Sequence, residues 1–305
     1  MQLLKQGSTG PDVEKLQKIL LLPVDGIFGR YTKDAVKKFQ LHNNIKVDGI
    51  VGNVTWQLLV IVKVDTEAIN EDTDIGGQWF TTNYGQKIHK YYLSKSEYLK
   101  KPGASKYMFL HHTAGGSNPY ACIDNWSRDR RGRVSTEFVL GGQNYRTEDA
   151  EYDGIMTQAF PEDGYGWHLG ETGSGYMNRH SIGLEICSIG YLDSEYKSYV
   201  GKKAHPDQVI KLEKAFRGQE FWHKYSSKQV EETQMLLKYI QERDSIDMRI
   251  GLQQLIKKYG PTKAFEFQED AYYGKIQGLI SHSNVRKDKM DVYPDPDMID
   301  MIMSF

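Results

Sequence analysis

The sequence predicts two units of different class. A small all-α unit of three helices comes first, followed by an α/β unit whose mixed central sheet is flanked by helices. Three observations predict this. Residues 1–62 place apolar side chains at helical spacing around two copies of one turn. Residues 63–79 form an acidic, weakly periodic stretch that runs into two glycines. From residue 80 to 305, short apolar runs of strand length are mixed with long helical patterns. A chain of 305 residues has room for both units, at roughly 150 residues per domain.

The first unit is built from a repeat. Val24-Asp25-Gly26-Ile27-Phe28-Gly29 returns as Val47-Asp48-Gly49-Ile50-Val51-Gly52. Asp-Gly predicts a tight turn in each copy, because Gly26 and Gly49 tolerate positive φ. Each copy then reaches a threonine, Thr32 or Thr55, expected to cap the helix that follows. After Thr32, the residues Ala35, Val36 and Phe39 fall on one helical face. An earlier helix is expected to start near Pro11, with Val13, Leu16 and Leu20 on one stripe.

Residues 63–79 read as a linker. In the segment 80–305, Tyr107–Leu110, Phe138–Leu140 and Ile182–Ile186 are expected strands. Residues 206–260 read as helical. Within them Ser226 and Gln229 form a candidate capping box, ahead of Val230, Thr233, Leu237 and Ile240 at helical spacing.

Composition excludes several classes. A formal net charge of −1 provides no basic field for nucleic acid. No charged-then-apolar leader opens the chain, and the run Ile19–Val24 is far too short to span a bilayer. The expectation is a soluble product made in the cytoplasm, or one that leaves by a route the sequence does not encode, with no membrane insertion. Two cysteines, Cys122 and Cys187, make neither a disulfide framework nor a paired zinc knuckle. Both are expected to be free apolar packers, with a single bridge left open. No G-x-S-x-G elbow and no P-loop is present.

Three separated segments hold the residues that carry chemistry. They are His111-His112-Thr113 at the end of a strand, Ser181–Glu185, and Ser281-His282 followed by Lys289-Met290-Asp291. A catalytic zinc needs three protein ligands and one open position. His111, His282 and Asp291 could supply the three if the fold gathers them, which spacing alone does not show. Singly, each piece has an ordinary reading: a polar histidine pair, a solvated strand end, a charged loop.

In this order the segments resemble the type 2 N-acetylmuramoyl-L-alanine amidases, a family that includes phage lytic enzymes and animal peptidoglycan recognition proteins. Trp167-His168-Leu169-Gly170 resembles the family's Trp-His-x-Gly segment, and Asn178 ahead of Ser181 also fits. This resemblance runs from about residue 104 to 298. At the N-terminus, Gly7-Ser8, Gly10, Asp12-Val13, Leu16-Gln17, the two repeats, Phe39-Gln40 and Thr55-Trp56 resemble the type 1 peptidoglycan-binding domains.

The resemblance implies a zinc amidase fold of the peptidoglycan recognition type. It implies a Zn2+ ion held by His111, His282 and Asp291. Glu185 would be the general base, and Lys289 would stabilise the tetrahedral intermediate. His112, Thr113, Glu137, Trp167, His168 and Asn178 would meet substrate. In the first unit, Asp25, Gly26, Phe28, Gly29, Asp48, Gly49, Gly52 and Trp56 would serve wall binding. The implied activity is hydrolysis of the amide between N-acetylmuramic acid and L-alanine in bacterial peptidoglycan. A phage endolysin fits this best: a monomer made in the host cytoplasm that reaches the wall after release.

The chain departs from the family pattern in places. His-Arg-Asp becomes His282-Ser283-Asn284, read as lost local support with ligation kept. The tail after Lys289 makes Asp295 a rival to Asp291 as third ligand. Ser135-Thr136-Glu137-Phe138 leaves Glu137 either as a second acid facing the cleft or as an ordinary strand residue. The long stretch between Glu185 and His282 reads as an insertion forming one wall. Alternative functions are a non-catalytic receptor on the same fold, an endopeptidase cutting within the stem peptide, and a structural wall anchor.

Overall fold

A computed structural model describes the chain except for residues 1, 21, 23, 43, 44, 57, 60–77 and 171. Most of the expected linker therefore lies outside the described residues. The chain divides into two compact units, Met1–Trp79 and Phe80–Phe305.

In the first unit, α1 (Pro11–Ile19) and α2 (Arg30–His42) are followed by a helical segment at 53–56. Val13, Leu16, Leu20, Val36 and Phe39 enter one core. The repeat has a physical basis in two buried glutamines. The Gln17 amide donates to Asp25 Oδ1 (2.6 Å) and to the Ile27 carbonyl (3.0 Å), while its oxygen accepts from Gly26 N (2.9 Å). Gln40 does the same with Asp48 (3.0 Å), Ile50 (2.8 Å) and Gly49 (2.8 Å). Gly26 and Gly49 sit at φ 70° and 71°, as the turn requires.

Thr32 and Thr55 are not caps. Lys33 N already bonds the Gly29 carbonyl (3.1 Å) and Trp56 N the Gly52 carbonyl (2.9 Å), so each helix has begun before its threonine. The two hydroxyls bond back to the Ile27 and Ile50 carbonyls instead. Phe28 and Trp56 also depart from expectation. Both are buried in the core, because so small a unit needs its large side chains inside. Asp25, Asp48 and the glycines shape the turns.

The second unit is an α/β layer structure. Its seven-stranded sheet contains β1 (Trp79–Thr81), β2 (Lys87–Lys90), β4 (Tyr107–His112), β5 (Phe138–Leu140), β6 (Met156–Gln158), β8 (Ser181–Ile186) and β12 (Gly278–Ser281), in the order β1-β2-β6-β5-β8-β4-β12. The pairs β5–β8, β8–β4 and β4–β12 are parallel, and β5–β6 is antiparallel. Two short strands, β3 (Leu99–Lys100) and β7 (Gly164–Tyr165), pair separately.

Alternation divides the strands between two layers. Met108, Leu110, Ile182, Leu184, Ile186 and Leu279 join the main core, against α4 (Ser227–Asp244), α5 (Leu252–Tyr259) and α9 (Pro296–Met303). Tyr107, Phe109 and Ile280 pack on the other face with Leu169, Met177 and Val285. The expected capping box starts α4: Gln229 N donates to Ser226 Oγ (3.0 Å) and Ser226 N to Gln229 Oε1 (3.2 Å).

The helical reading of 206–260 fails over its first part. Residues 209–223 form a hairpin, β10 (Val209–Phe216) and β11 (Gln219–His223), which pairs on to β9 (Tyr191–Leu192). Val209, Leu212 and Phe216 also fit helical spacing, which explains the misreading. The two-residue turn Arg217-Gly218, with both φ positive, decides for a hairpin.

Candidate functional site

Three neighbouring parallel strands carry the site. Register pairs His111 with Glu185 across β4 and β8, and Ser281 with Leu110 across β12 and β4. His282, one residue beyond β12, therefore comes level with His111. Strands about 4.8 Å apart thus present His282, His111 and Glu185 side by side at their carboxyl ends, where open α/β sheets place ligands. The loop after His282 returns to the same point, with Ser283 N donating to the Asp291 carbonyl (2.7 Å).

The side chains converge. His111 Nδ1 lies 3.0 Å from His282 Nδ1. Asp291 Oδ2 lies 2.9 Å from His282 Nδ1 and 3.3 Å from His111 Nδ1. Burial, reinforced by His282, pushes the His111 imidazole down to about 4, so it is neutral near pH 7. For Asp291, burial is the largest single influence and pushes the carboxyl up. The combined pull of His282 and His111 still leaves it well below the usual range.

A chain of hydrogen-bonding contacts runs behind His111. Ser181 Oγ lies 2.7 Å from His168 Nε2 and 3.4 Å from the Asn178 carbonyl. Burial also holds His168 neutral. Its Nδ1 lies 2.9 Å from His111 Nε2, within hydrogen-bonding distance. His111 Nδ1 faces the Asp291 carboxylate. Among the described residues, His282 Nε2 is buried with no hydrogen-bond partner. The ligand atoms of His111, His282 and Asp291 lie within 4.8 Å of one another, a grouping that could hold a metal ion. Two imidazoles and one carboxylate suit zinc.

Around this cluster lies a cavity of about 820 Å³. Glu185 and Lys289 line it, as do His112, Thr113, Trp167 and His168. Leu184 and Ile186 point into the core while Glu185 points into the cavity. Burial, reinforced by Asp291, pushes the Glu185 carboxyl well up, and Lys289 opposes this.

Residues 101–291 match the family model for N-acetylmuramoyl-L-alanine amidase. The chain belongs to that family. Residues 9–59 match the model for a peptidoglycan binding domain. A spore cortex-lytic enzyme of Oceanobacillus iheyensis is 34% identical over 91 residues, which is 28% of this chain and 32% of that protein. The chain thus spans about a third of the length of this curated relative. The crystal structure of a Burkholderia AP3 phage endolysin is 36% identical over 23% of this chain and 27% of its own, with a TM-score of 0.19. The catalytic domain of XlyA is 18% identical over 71% of this chain and 97% of its own, with a TM-score of 0.36.

Several residues of the amidase unit sit differently from expectation. Glu137 does not line the cavity. It is buried in an ion-pair group with Arg243 (2.8 Å) and Lys101 (3.4 Å), and accepts from Gln158 (3.0 Å). Asn178 does not line it either. Its side chain accepts from His168 N and Leu169 N and donates to the Gly170 carbonyl, shaping the loop that carries Trp167 and His168. His168 spends both ring nitrogens within the protein, which makes it a support for His111. Asp295, the rival ligand, caps α9 through Met298 N (3.1 Å) and accepts from Tyr293 Oη (2.8 Å).

Local support after His282 is not lost. Ser283 Oγ donates to the Phe265 carbonyl (2.7 Å), and Asn284 donates to the Ala264 and Glu266 carbonyls (both 2.8 Å). Cys122 and Cys187 are free thiols. The segment between Glu185 and His282 adds Tyr191 and Tyr199 to the cavity wall, stacked 5.4 Å apart. Trp126 and Arg131 line it from α3 (Pro119–Trp126) and the turn after it. No motif in the sequence flagged these four, since their place depends on the folded insertion and loops. Among the described residues no helix is long and apolar enough to cross a membrane.

Proposed function

We propose that the chain is a zinc-dependent amidase that cuts the bond between N-acetylmuramic acid and the L-alanine of the stem peptide. Residues 80–305 form the catalytic domain, 63–79 the linker and 1–62 the wall-binding domain. The observation that carries this reading is the meeting of His111, His282 and Asp291 beside Glu185 and Lys289 in one cavity.

His111, His282 and Asp291 would hold the ion. Zinc bound there supplies Lewis-acid polarisation of the scissile amide and a more acidic water. Glu185 takes the proton of the attacking water at its carboxylate and passes it to the departing amine. A carboxyl pushed up by burial suits both halves of that transfer. The Lys289 ammonium offsets the negative charge that develops on the carbonyl oxygen. His168, held by Ser181 and Asn178, orients the His111 ring from behind. Trp167 presents an aromatic wall to glycan or peptide.

Mass spectrometry of purified peptidoglycan after digestion tests the reading. Expected products are intact glycan strands and free stem peptides beginning with L-alanine, with no release after chelation. Cleavage between stem residues would mark an endopeptidase, and wall binding without cleavage a receptor or anchor. The finer reading, a monomeric endolysin made in the cytoplasm, is tested by expression inside bacteria. Lysis should then await permeabilisation of the membrane.

A further inference from the structure

We propose that Arg217, at the tip of the β10–β11 hairpin, is a positioning residue that holds the loop 283–291 and so sets Lys289 and Asp291 against the metal centre. The inference rests on the zinc amidase reading above.

Arg217 comes from a segment that contributes nothing else to the centre. Its guanidinium enters the loop and meets a ring of backbone carbonyls. Nη1 donates to Arg286 (3.1 Å), Lys287 (3.1 Å) and Lys289, and Nη2 donates to Ser283 (2.9 Å). Nε donates to Glu266 Oε2 (3.1 Å). Ser283 follows His282 directly, and Lys289 stands two residues before Asp291. The clamp therefore grips the backbone on both sides of the loop that joins two ligands. Four carbonyl dipoles aimed at one point repel each other unless a cation lies between them.

The hairpin makes the clamp stiff. Arg217 and Gly218 hold φ at 50° and 80°, the two-residue turn that matches strand twist. Phe216 and Trp222 anchor its strands in the core. The Arg217 side chain is only 10% exposed. A guanidinium spreads five donors over a planar fork, whereas an ammonium has three donors at one point. Lysine at this position reaches part of the ring and leaves other carbonyls without a donor.

The test uses the full chain with R217K, R217A and, as a control, E266Q. Zinc affinity is read by competition with a chromophoric chelator. Turnover and KM are read on a soluble muropeptide, and loop order by hydrogen exchange of the 283–291 amides. In R217K, zinc affinity should fall about 10–100-fold, as for groups that orient metal ligands. Turnover should drop with KM unchanged, and loop amides should exchange faster. Guanidinium ion should restore part of the zinc affinity of R217A. E266Q, which leaves the carbonyl ring gripped, should keep wild-type zinc affinity.

Wild-type zinc affinity, turnover and loop exchange in R217K would overturn the proposal. So would E266Q losing as much as R217K, because the ion pair would then hold the loop. If R217A does not fold, R217K decides alone. A wild-type chain that takes up no zinc would sink the amidase reading instead, and loop exchange in R217K would still report whether Arg217 clamps the loop.

Discussion

Removing the Glu137 carboxylate should cost stability and leave the chemistry in place. Glu137 is 1% exposed and lies between Lys101 and Arg243, whose side chains are 6% and 13% exposed. Breaking a buried pair by deleting one partner costs about 3–5 kcal/mol, since the remaining charge stays buried. Here the lower end applies. Arg243 keeps Asp244 at 2.5 Å, and Lys101 keeps the Glu162 carbonyl at 2.9 Å. Glu137→Ala is therefore expected to lose about 3 kcal/mol, with Lys101 carrying most of the cost. The assay is urea unfolding of the larger unit's transition, paired with turnover on a soluble muropeptide below the transition. Unchanged stability with a hundredfold fall in turnover would refute this, because Glu137 would then act as an acid in the cleft.

Other outcomes follow from the same geometry. Glu185→Ala should keep zinc and lose about 10²–10⁴ in turnover, the range of a general base; full zinc with near-normal turnover would remove Glu185 from the mechanism. His282→Ala should lose zinc and activity together, measured on one sample by metal analysis and product release. Stability of the metal-free chain should fall with acid because burial holds His223 down at about 4. The folded state resists a proton that the unfolded state takes, so stability declines as pH falls from about 6.5 toward 4 and levels below that. Unfolding at pH 5 should show a loss of about 2 kcal/mol from His223, absent in His223→Gln. A chain truncated before residue 80 should stay folded and bind zinc, and lose more activity on intact walls than on soluble muropeptides; equal losses would show one functional unit.

Much of this was legible in the sequence, for local reasons. The strands carrying His111 and Glu185 announced themselves as apolar runs, and Ser226 with Gln229 marked the start of α4. Convergence was not legible. His111 and His282 stand 171 residues apart, and only parallel register brings them level. Glu137 shows the same limit, since its partner Arg243 is 106 residues away. The 209–216 strand misled because its apolar spacing satisfies a helix as well as a strand, and only the Arg217-Gly218 turn separates them. Phe28 and Trp56 stood out as aromatic residues of a wall-binding motif, yet the small unit uses both to fill its core.

Anomalous diffraction at the zinc edge tests the ligand set most directly. One zinc ion per chain should appear about 2.0–2.2 Å from His111, His282 and Asp291, with its fourth position open to the cavity. Zinc found elsewhere, such as between Glu148, His205 and Asp207, with the three named residues uncoordinated, would contradict the account.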